Sequence, residues 1–199
     1  GIEWINVTDG ATMVNGLLSD VFDVATAVPP VDAERLDDRF TVESAPTDRS
    51  YIALLMCSGK PPLDDENVRR AVQVGIDRQA ISDLLWDGLA SPALGLWPEG
   101  HVNYNPALED IVTYDPALAE ELLGGASVDL DIAIIAAVPG HDTIAQVIQS
   151  QLGEVGINVN IIPTQDPVAE FITPELPGAL IVPGSRTGVD KYDRVFTQG

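Results

Sequence analysis

The chain has 199 residues, enough for one large α/β domain or two small ones, and 45% of them are hydrophobic, which is ordinary for a globular protein. Its 31 acidic and 10 basic residues give a net charge of −21, a surface that repels phosphate backbones and so excludes an ordinary nucleic-acid binder. Cys57 stands alone, so no internal disulfide can form, and no apolar stretch approaches the roughly 18 residues of a membrane helix.

In chain order, Ile2, Trp4, Ile5 and Val7 predict a strand, followed by a turn at Asp9-Gly10. This start has no basic segment and does not read as a signal peptide; with no initiator methionine, the chain reads as an excised piece or a processed product. Ala11 to Leu18 predict a helix with Val14, Leu17 and Leu18 inward. Val21, Phe22 and Val24 open an extended segment ending at Pro29-Pro30, and Asp32 to Leu36 predict a short helix. Phe40 to Ser44 alternate like a half-buried strand, and Tyr51 to Met56 are continuously apolar, as in a central strand.

A helix pair is expected from about Asp65 to Trp86. Pro61-Pro62 stop the preceding segment, Asp64 and Asp65 offer carboxylates to the free N–H groups of the first helix, and Asp77 caps the second. Val68, Ala71, Val72, Gly75 and Ile76 make one apolar face, leaving Arg69, Arg70 and Gln73 toward water; Ala80, Ile81, Leu84 and Leu85 are the apolar positions of the second helix. A long stretch rich in glycine and proline runs from Gly88 to about Thr113. Asp115-Pro116 then start a helix and Gly124-Gly125 end it. Val128, Leu130, Ile132 and Ile134 alternate as a strand. Asp142 is expected to cap a helix carrying Ile144, Val147, Ile148, Leu152 and Val155, which Gly156 terminates. Ile157, Val159 and Ile161 predict the next strand, Asp166-Pro167 a short helix through Phe171, and Ala179 to Val182 the last strand. Strands alternating with helices across short turns indicate an open α/β sheet in a single unit, residues 1–199.

The run from Pro61 through Asp64, Asp65, Arg69, Arg70, Asp77 and Arg78 to Ile81 also resembles, nearly residue by residue, a segment of the extracellular solute-binding proteins of ABC importers, family 5, the peptide- and nickel-binding type. Five further segments resemble that family in the same order: Gly16 to Ala25, Tyr51 to Leu55, Gly88 to Ala93 with Leu96 to Pro98, Tyr114 to Leu123, and Ile148 to Val159. Asp20 stands where the family has glycine. The resemblance implies a type II periplasmic-binding-protein lobe, an open mixed sheet flanked by helices, specifically the second of two lobes that close on a solute, with the first lobe absent. It implies a non-enzymatic binder without a cofactor or metal. The partners it implies are a small solute such as an oligopeptide and a membrane permease. It also implies an extracytoplasmic location, with any membrane attachment through a lipid anchor on the absent N-terminus. A ligand-sensing domain on the same fold, or a hydrolase or transferase domain, are the alternatives.

By position in the resemblance, the solute would meet the helix at Asp166 to Thr173 and the loop at Pro183 to Asp190. The candidate ligand-binding residues are Trp97, Asp166, Glu170, Ser185, Arg186 and Asp190. Peptide-binding relatives carry a tryptophan and an aspartate in that loop, the aspartate holding the peptide amine. Here the tryptophan is missing and Asp190 matches only with a small shift, while Arg186 adds a planar fork suited to a carboxylate. Taken on their own, Arg186 and Asp190 are equally well solvated loop charges, Asp166 a helix cap and Trp97 a surface-packed side chain. His101 and His141 lack zinc-site spacing and read as ordinary loop residues, no serine sits in a nucleophile elbow, and no carboxylate pair is singled out for catalysis. Aspartate excess with only two lysines, Lys60 and Lys191, also fits a high-salt or high-GC source.

Overall fold

Four strands form one mixed sheet: β1 (Ser50–Met56), β2 (Val128–Ile135), β3 (Ile157–Thr164) and β4 (Ala179–Ser185), in the spatial order β1-β4-β2-β3. β2 pairs in parallel with β3 and β4, and β1 runs antiparallel to β4. The computed structural model describes residues 1–7, 9–26, 28–43, 50–87, 90–93, 95, 104–136, 138, 140–165 and 178–185. Its helices are α1 (Gly10–Leu18), α2 (Pro30–Ala33), α3 (Glu66–Val74), α4 (Arg78–Trp86), α5 (Glu109–Val112), α6 (Pro116–Leu123) and α7 (His141–Glu154), with a 3-10 turn at Pro106–Leu108. No described helix is long and apolar enough to cross a membrane.

The main core follows from alternation in the strands and helical spacing in α3, α6 and α7. Leu130, Ile132 and Ile134 of β2 and Ile157 and Val159 of β3 bury one sheet face against Val68, Ala71 and Val72 of α3, Ala119 and Leu123 of α6, and Ile144, Ala145, Ile148 and Leu152 of α7. The opposite face of the same two strands is polar over its first half and apolar beyond it, where Ala133 is fully buried and Ile162 half-buried. Register places Asp129 beside Asn158 and Asp131 beside Asn160, and each asparagine amide donates to its partner carboxylate, at 2.9 and 3.0 Å. A slip of one residue would exchange these two faces, so the pattern fixes the register.

The helix ends follow their local chemistry. Asp65, Asp77 and Asp115 cap α3, α4 and α6, accepting from the backbone N–H groups of Asn67, Ala80 and Leu118 at 2.8, 3.0 and 2.9 Å. Pro116 occupies the first turn of α6, and Gly124 closes that helix at φ 60°, a conformation that favours glycine. The Asp115 N–H donates to the Val74 carbonyl at 2.8 Å, tying the start of α6 to the end of α3. Gln151 of α7 accepts from the Asp77 N–H at 3.0 Å, joining α7 to the α3–α4 turn. Asp20, where the family resemblance has glycine, does adopt a left-handed backbone at φ 57°. Aspartate tolerates this region better than most residues.

Several expectations are corrected. Tyr51 to Met56 form a strand, but β1 lies at the edge of the sheet and is only partly covered, with Ile52 40% exposed. A continuous apolar run reports what covers its faces, not its place in the strand order. Residues 1–7 join no strand, and Ile2, Trp4 and Ile5 are exposed. Phe40 to Glu43 likewise form no strand, and Val42 is exposed. The short helix is α2, beginning at Pro30 and ending at Ala33. Only Asp65, not Asp64, caps α3.

Arg69 does not simply face water: its guanidinium donates to the carbonyls of Leu63 and Asp64, at 2.8 and 3.0 Å, bracing the turn before α3. Ala80 and Leu84 of α4 are exposed, whereas Ile81 is buried. Cys57, expected as a small buried side chain beside apolar Met56, is only half-buried. A residue absent from the predicted patterns also matters: Arg78 donates to the carbonyls of Gln73 and Ile76, at 2.9 and 3.2 Å, and burial holds its guanidinium below the ordinary arginine value. The predicted helix at Asp166 to Phe171 and most of the Gly88–Tyr104 stretch lie outside the described residues.

Candidate functional site

The parallel strands give the lobe two unlike edges. β2, β3 and β4 all end at the same one, where β1 begins, because Ser50 pairs with Ser185. Ile135 of β2 lies opposite Thr164 of β3, and the Ala136 N–H donates to the Thr164 carbonyl at 3.1 Å, extending the ladder to this edge. β4 runs on: Ile134 pairs with Ile181, so Pro183, Gly184 and Ser185 continue past the end of β2, paired among the described residues with Ser50 to Ile52 of β1 alone. At about 3.3 Å per residue, this two-stranded ribbon projects roughly 10 Å beyond the rest of the sheet. In open α/β sheets, ligands bind outside the carboxyl ends of the parallel strands. The candidate site is therefore this edge.

Between β2 and α7 the chain turns tightly. The Val138 N–H donates to the Ile135 carbonyl at 3.0 Å and the His141 N–H to the Val138 carbonyl at 3.3 Å. Gly140 sits at φ 83°, where a side chain would be strained, and the Ile144 N–H closes the first helical turn on its carbonyl at 2.9 Å. The helix therefore starts at His141, not after a cap at Asp142, and no side chain caps it. The positive end of a 14-residue helix thus faces the same edge as the strand ends. Such an end suits a carboxylate or another anionic group.

His141 is not the loop residue the sequence suggests. It is fully buried, and neither ring nitrogen has a hydrogen-bond partner. Burial pushes its imidazole below the ordinary histidine value, while the neighbouring Asp142 carboxylate pulls weakly the other way. The sequence signal that bears on it is Pro139-Gly140 directly before it, a pair that ends one segment and allows the next to start at once. Thr164, at the end of β3, is also buried.

Of the six candidate ligand-binding residues, Ser185 belongs to the edge as the last residue of β4. Trp97, Asp166, Glu170, Arg186 and Asp190 lie outside the described residues, as does His101. In sequence, Asp166 follows the end of β3 by two residues and Arg186 follows β4 directly. Among the described residues, no three histidine, cysteine, aspartate or glutamate side chains gather as metal ligands would.

Comparison with known proteins agrees with this architecture. Residues 1–177 match the family model described as "Bacterial extracellular solute-binding proteins, family 5 Middle". Among curated relatives, the chain is 33% identical over 147 residues to a probable di/tripeptide-binding protein 5 of Pseudomonas aeruginosa, covering 69% of this chain and 27% of that one. It is 30% identical over 167 residues to the glutathione-binding protein GsiB of Salmonella choleraesuis, covering 80% of this chain and 32% of that one. The chain thus spans about a third or less of the length of these relatives.

Among solved structures, the dipeptide-binding protein from a Pseudoalteromonas species, in complex with Met-Leu, superposes with a TM-score of 0.76 at 22% identity, over 95% of this chain and 39% of that one. NikA of Brucella suis, in complex with Fe(III)-EDTA, gives a TM-score of 0.76 at 16% identity, over 96% and 42%. These structural likenesses establish the shared fold, a mixed sheet flanked by helices. With the family model matched across residues 1–177, the chain belongs to the bacterial extracellular solute-binding proteins of family 5.

Proposed function

We propose that this chain is the second lobe of a two-lobed solute-binding protein that captures a small peptide-like solute by hinge closure and hands it to a membrane permease of an ABC importer. The observation that carries this reading is the family match over residues 1–177, joined to a sheet whose parallel strands all end at one edge. The names of the relatives, di/tripeptide-binding and glutathione-binding, favour a small solute with a free carboxylate and amine. On this reading, the ribbon of β1 and β4 carries the loop with Ser185, Arg186 and Asp190 to the solute. Arg186 would pair with a carboxylate and Asp190 with an amine. Asp166 and Glu170, after β3, and Trp97 would complete this lobe's share of the contacts. The protein would act outside the cytoplasm, held by a lipid anchor on a segment preceding this lobe.

Calorimetry on the two-lobed protein, against panels of di- and tripeptides, glutathione and nickel or iron chelates, tests this. Saturable binding of at least one peptide-like solute is expected, and Arg186→Ala should weaken it by tenfold or more, as loss of a charge-assisted pair would. No heat from any member of the panels would overturn the reading.

A further inference from the structure

The solute-binding reading leaves one buried group without a role. The His141 side chain is fully enclosed, and neither Nδ1 nor Nε2 has a partner. A neutral imidazole carries one donor and one acceptor, so its enclosure is already unfavourable. The protonated ring is worse placed: it has two unpaired donors and a full charge, at the positive end of α7. We propose that His141 is an acid-sensitive latch, with the first turn of α7 closing over the neutral imidazole and opening when the ring takes up a proton.

Among the described residues, the surrounding charges do not relieve this. Asp142, next in the chain, is exposed, and its attraction is the smaller of the two influences on the ring. The strands packed on α7 are β2 and β3. β3 has no ionisable side chain, and β2 has only Asp129 and Asp131, both exposed and engaged with Asn158 and Asn160 on the opposite sheet face. Glu154, the other carboxylate of α7, is the last residue of the helix, roughly 20 Å along its axis.

The sign follows from the direction of the shift. A ring held below 6.5 when enclosed and titrating near 6.5 when wetted leaves the closed turn at full stability above pH 6.5. That stability is lost as pH falls through the lowered closed-state value, and within this window the opening equilibrium gains up to about tenfold per pH unit. Because the turn joins β2 to α7 at the edge where β2 and β3 end, its opening would loosen the floor of the solute cleft on acidification. That consequence rests on the proposed function; the latch itself does not.

Amide hydrogen exchange by NMR on the 199-residue chain between pH 7.5 and 5, corrected for intrinsic exchange, tests the latch without any solute. In wild type, the opening equilibrium at the Ile144 amide should rise about tenfold or more relative to the Leu152 amide near the far end of α7. His141→Phe, which cannot titrate, should abolish the difference, and His141→Gln supplies the same comparison should the phenylalanine variant fail to fold. Ring chemical shifts should show His141 titrating below 6.5. A His141 that titrates at or above 6.5, equal pH dependence in wild type and variants, or Ile144 and Leu152 opening together would each overturn the proposal. The outcome is independent of the calorimetry, so failure of one does not imply failure of the other.

Discussion

Replacing Leu152 by alanine is expected to destabilise the lobe by about 2–5 kcal/mol. Leu152 is completely buried in the main core, on the face of α7 that covers β2 and β3. It also reaches the end of α3: a Cβ built on Gly75 would lie 3.1 Å from Leu152 Cδ2. Removing the leucine takes away contacts to two layers at once, and the hole sits between a strand pair and a helix end that are both tied by hydrogen bonds. Asp115 N–H holds the Val74 carbonyl and Gln151 holds the Asp77 N–H, so neither side can collapse freely into the space. That places the expected cost in the upper part of the range for large-to-small core changes. For a chain of this size, the thermal midpoint should fall by about 4–20 °C. Urea denaturation should show the same loss with an unchanged m-value. A shift below about 1 kcal/mol would mean that α7 is not packed as described.

Gly75→Ala is expected to cost about 1–3 kcal/mol, although alanine is the better helix former. The backbone there is at φ −80°, open to any residue, so the penalty comes from space and not from strain. The added methyl would meet the Ala71 carbonyl oxygen at 2.8 Å, Leu152 Cδ2 at 3.1 Å and Val155 Cγ2 at 3.4 Å. The first of these cannot move cheaply, since that carbonyl also accepts the Gly75 N–H at 2.8 Å. The second can be removed by mutation. Combining Gly75→Ala with Leu152→Ala should therefore cost less than the sum of the single changes, by about 0.5 kcal/mol or more. Strict additivity, read from four urea curves, would show that the end of α3 and the last turns of α7 do not share this space.

The helices were legible where their signals are local. Asp115, Pro116 and Gly124 define α6 almost unaided, because a cap, a first-turn proline and a left-handed glycine act on the nearest backbone groups. The same holds for Asp65 and Asp77 before α3 and α4. The alternation was equally plain in the first halves of β2 and β3, where one face is dry and the other carries Asp129, Asp131, Asn158 and Asn160. Non-local features were not legible. Tyr51 to Met56 look like a central strand, yet strand order depends on how far the chain travels between β1 and β4. Ile2 to Val7 alternate as a strand should, but alternation supplies no partner, and none of the described strands pairs with them.

The site divides in the same way. Its location follows from sheet direction, which the alternation of strands with helices already implied. The burial of His141 depends on where α7 starts, and the Asp142 cap signal pointed two residues too far, since the cap position is Gly140. Five of the six residues chosen by resemblance, Asp166, Glu170, Ser185, Arg186 and Asp190, fall at or after the ends of β3 and β4 in sequence, whereas Trp97 lies between α4 and α5; Ser185 is the one among them that the described structure reaches.

Hydrogen exchange measured by mass spectrometry on the two-lobed protein, with and without a saturating solute from the calorimetric panels, tests most directly whether this edge is the solute-facing one. New protection should gather at the turn after β2, the segment after β3 and the end of β4. The opposite edge, at Gly124 to Ser127 and Gly156, should exchange as before. Protection appearing at that opposite edge, or bound solute leaving the ends of β2, β3 and β4 unchanged, would contradict it.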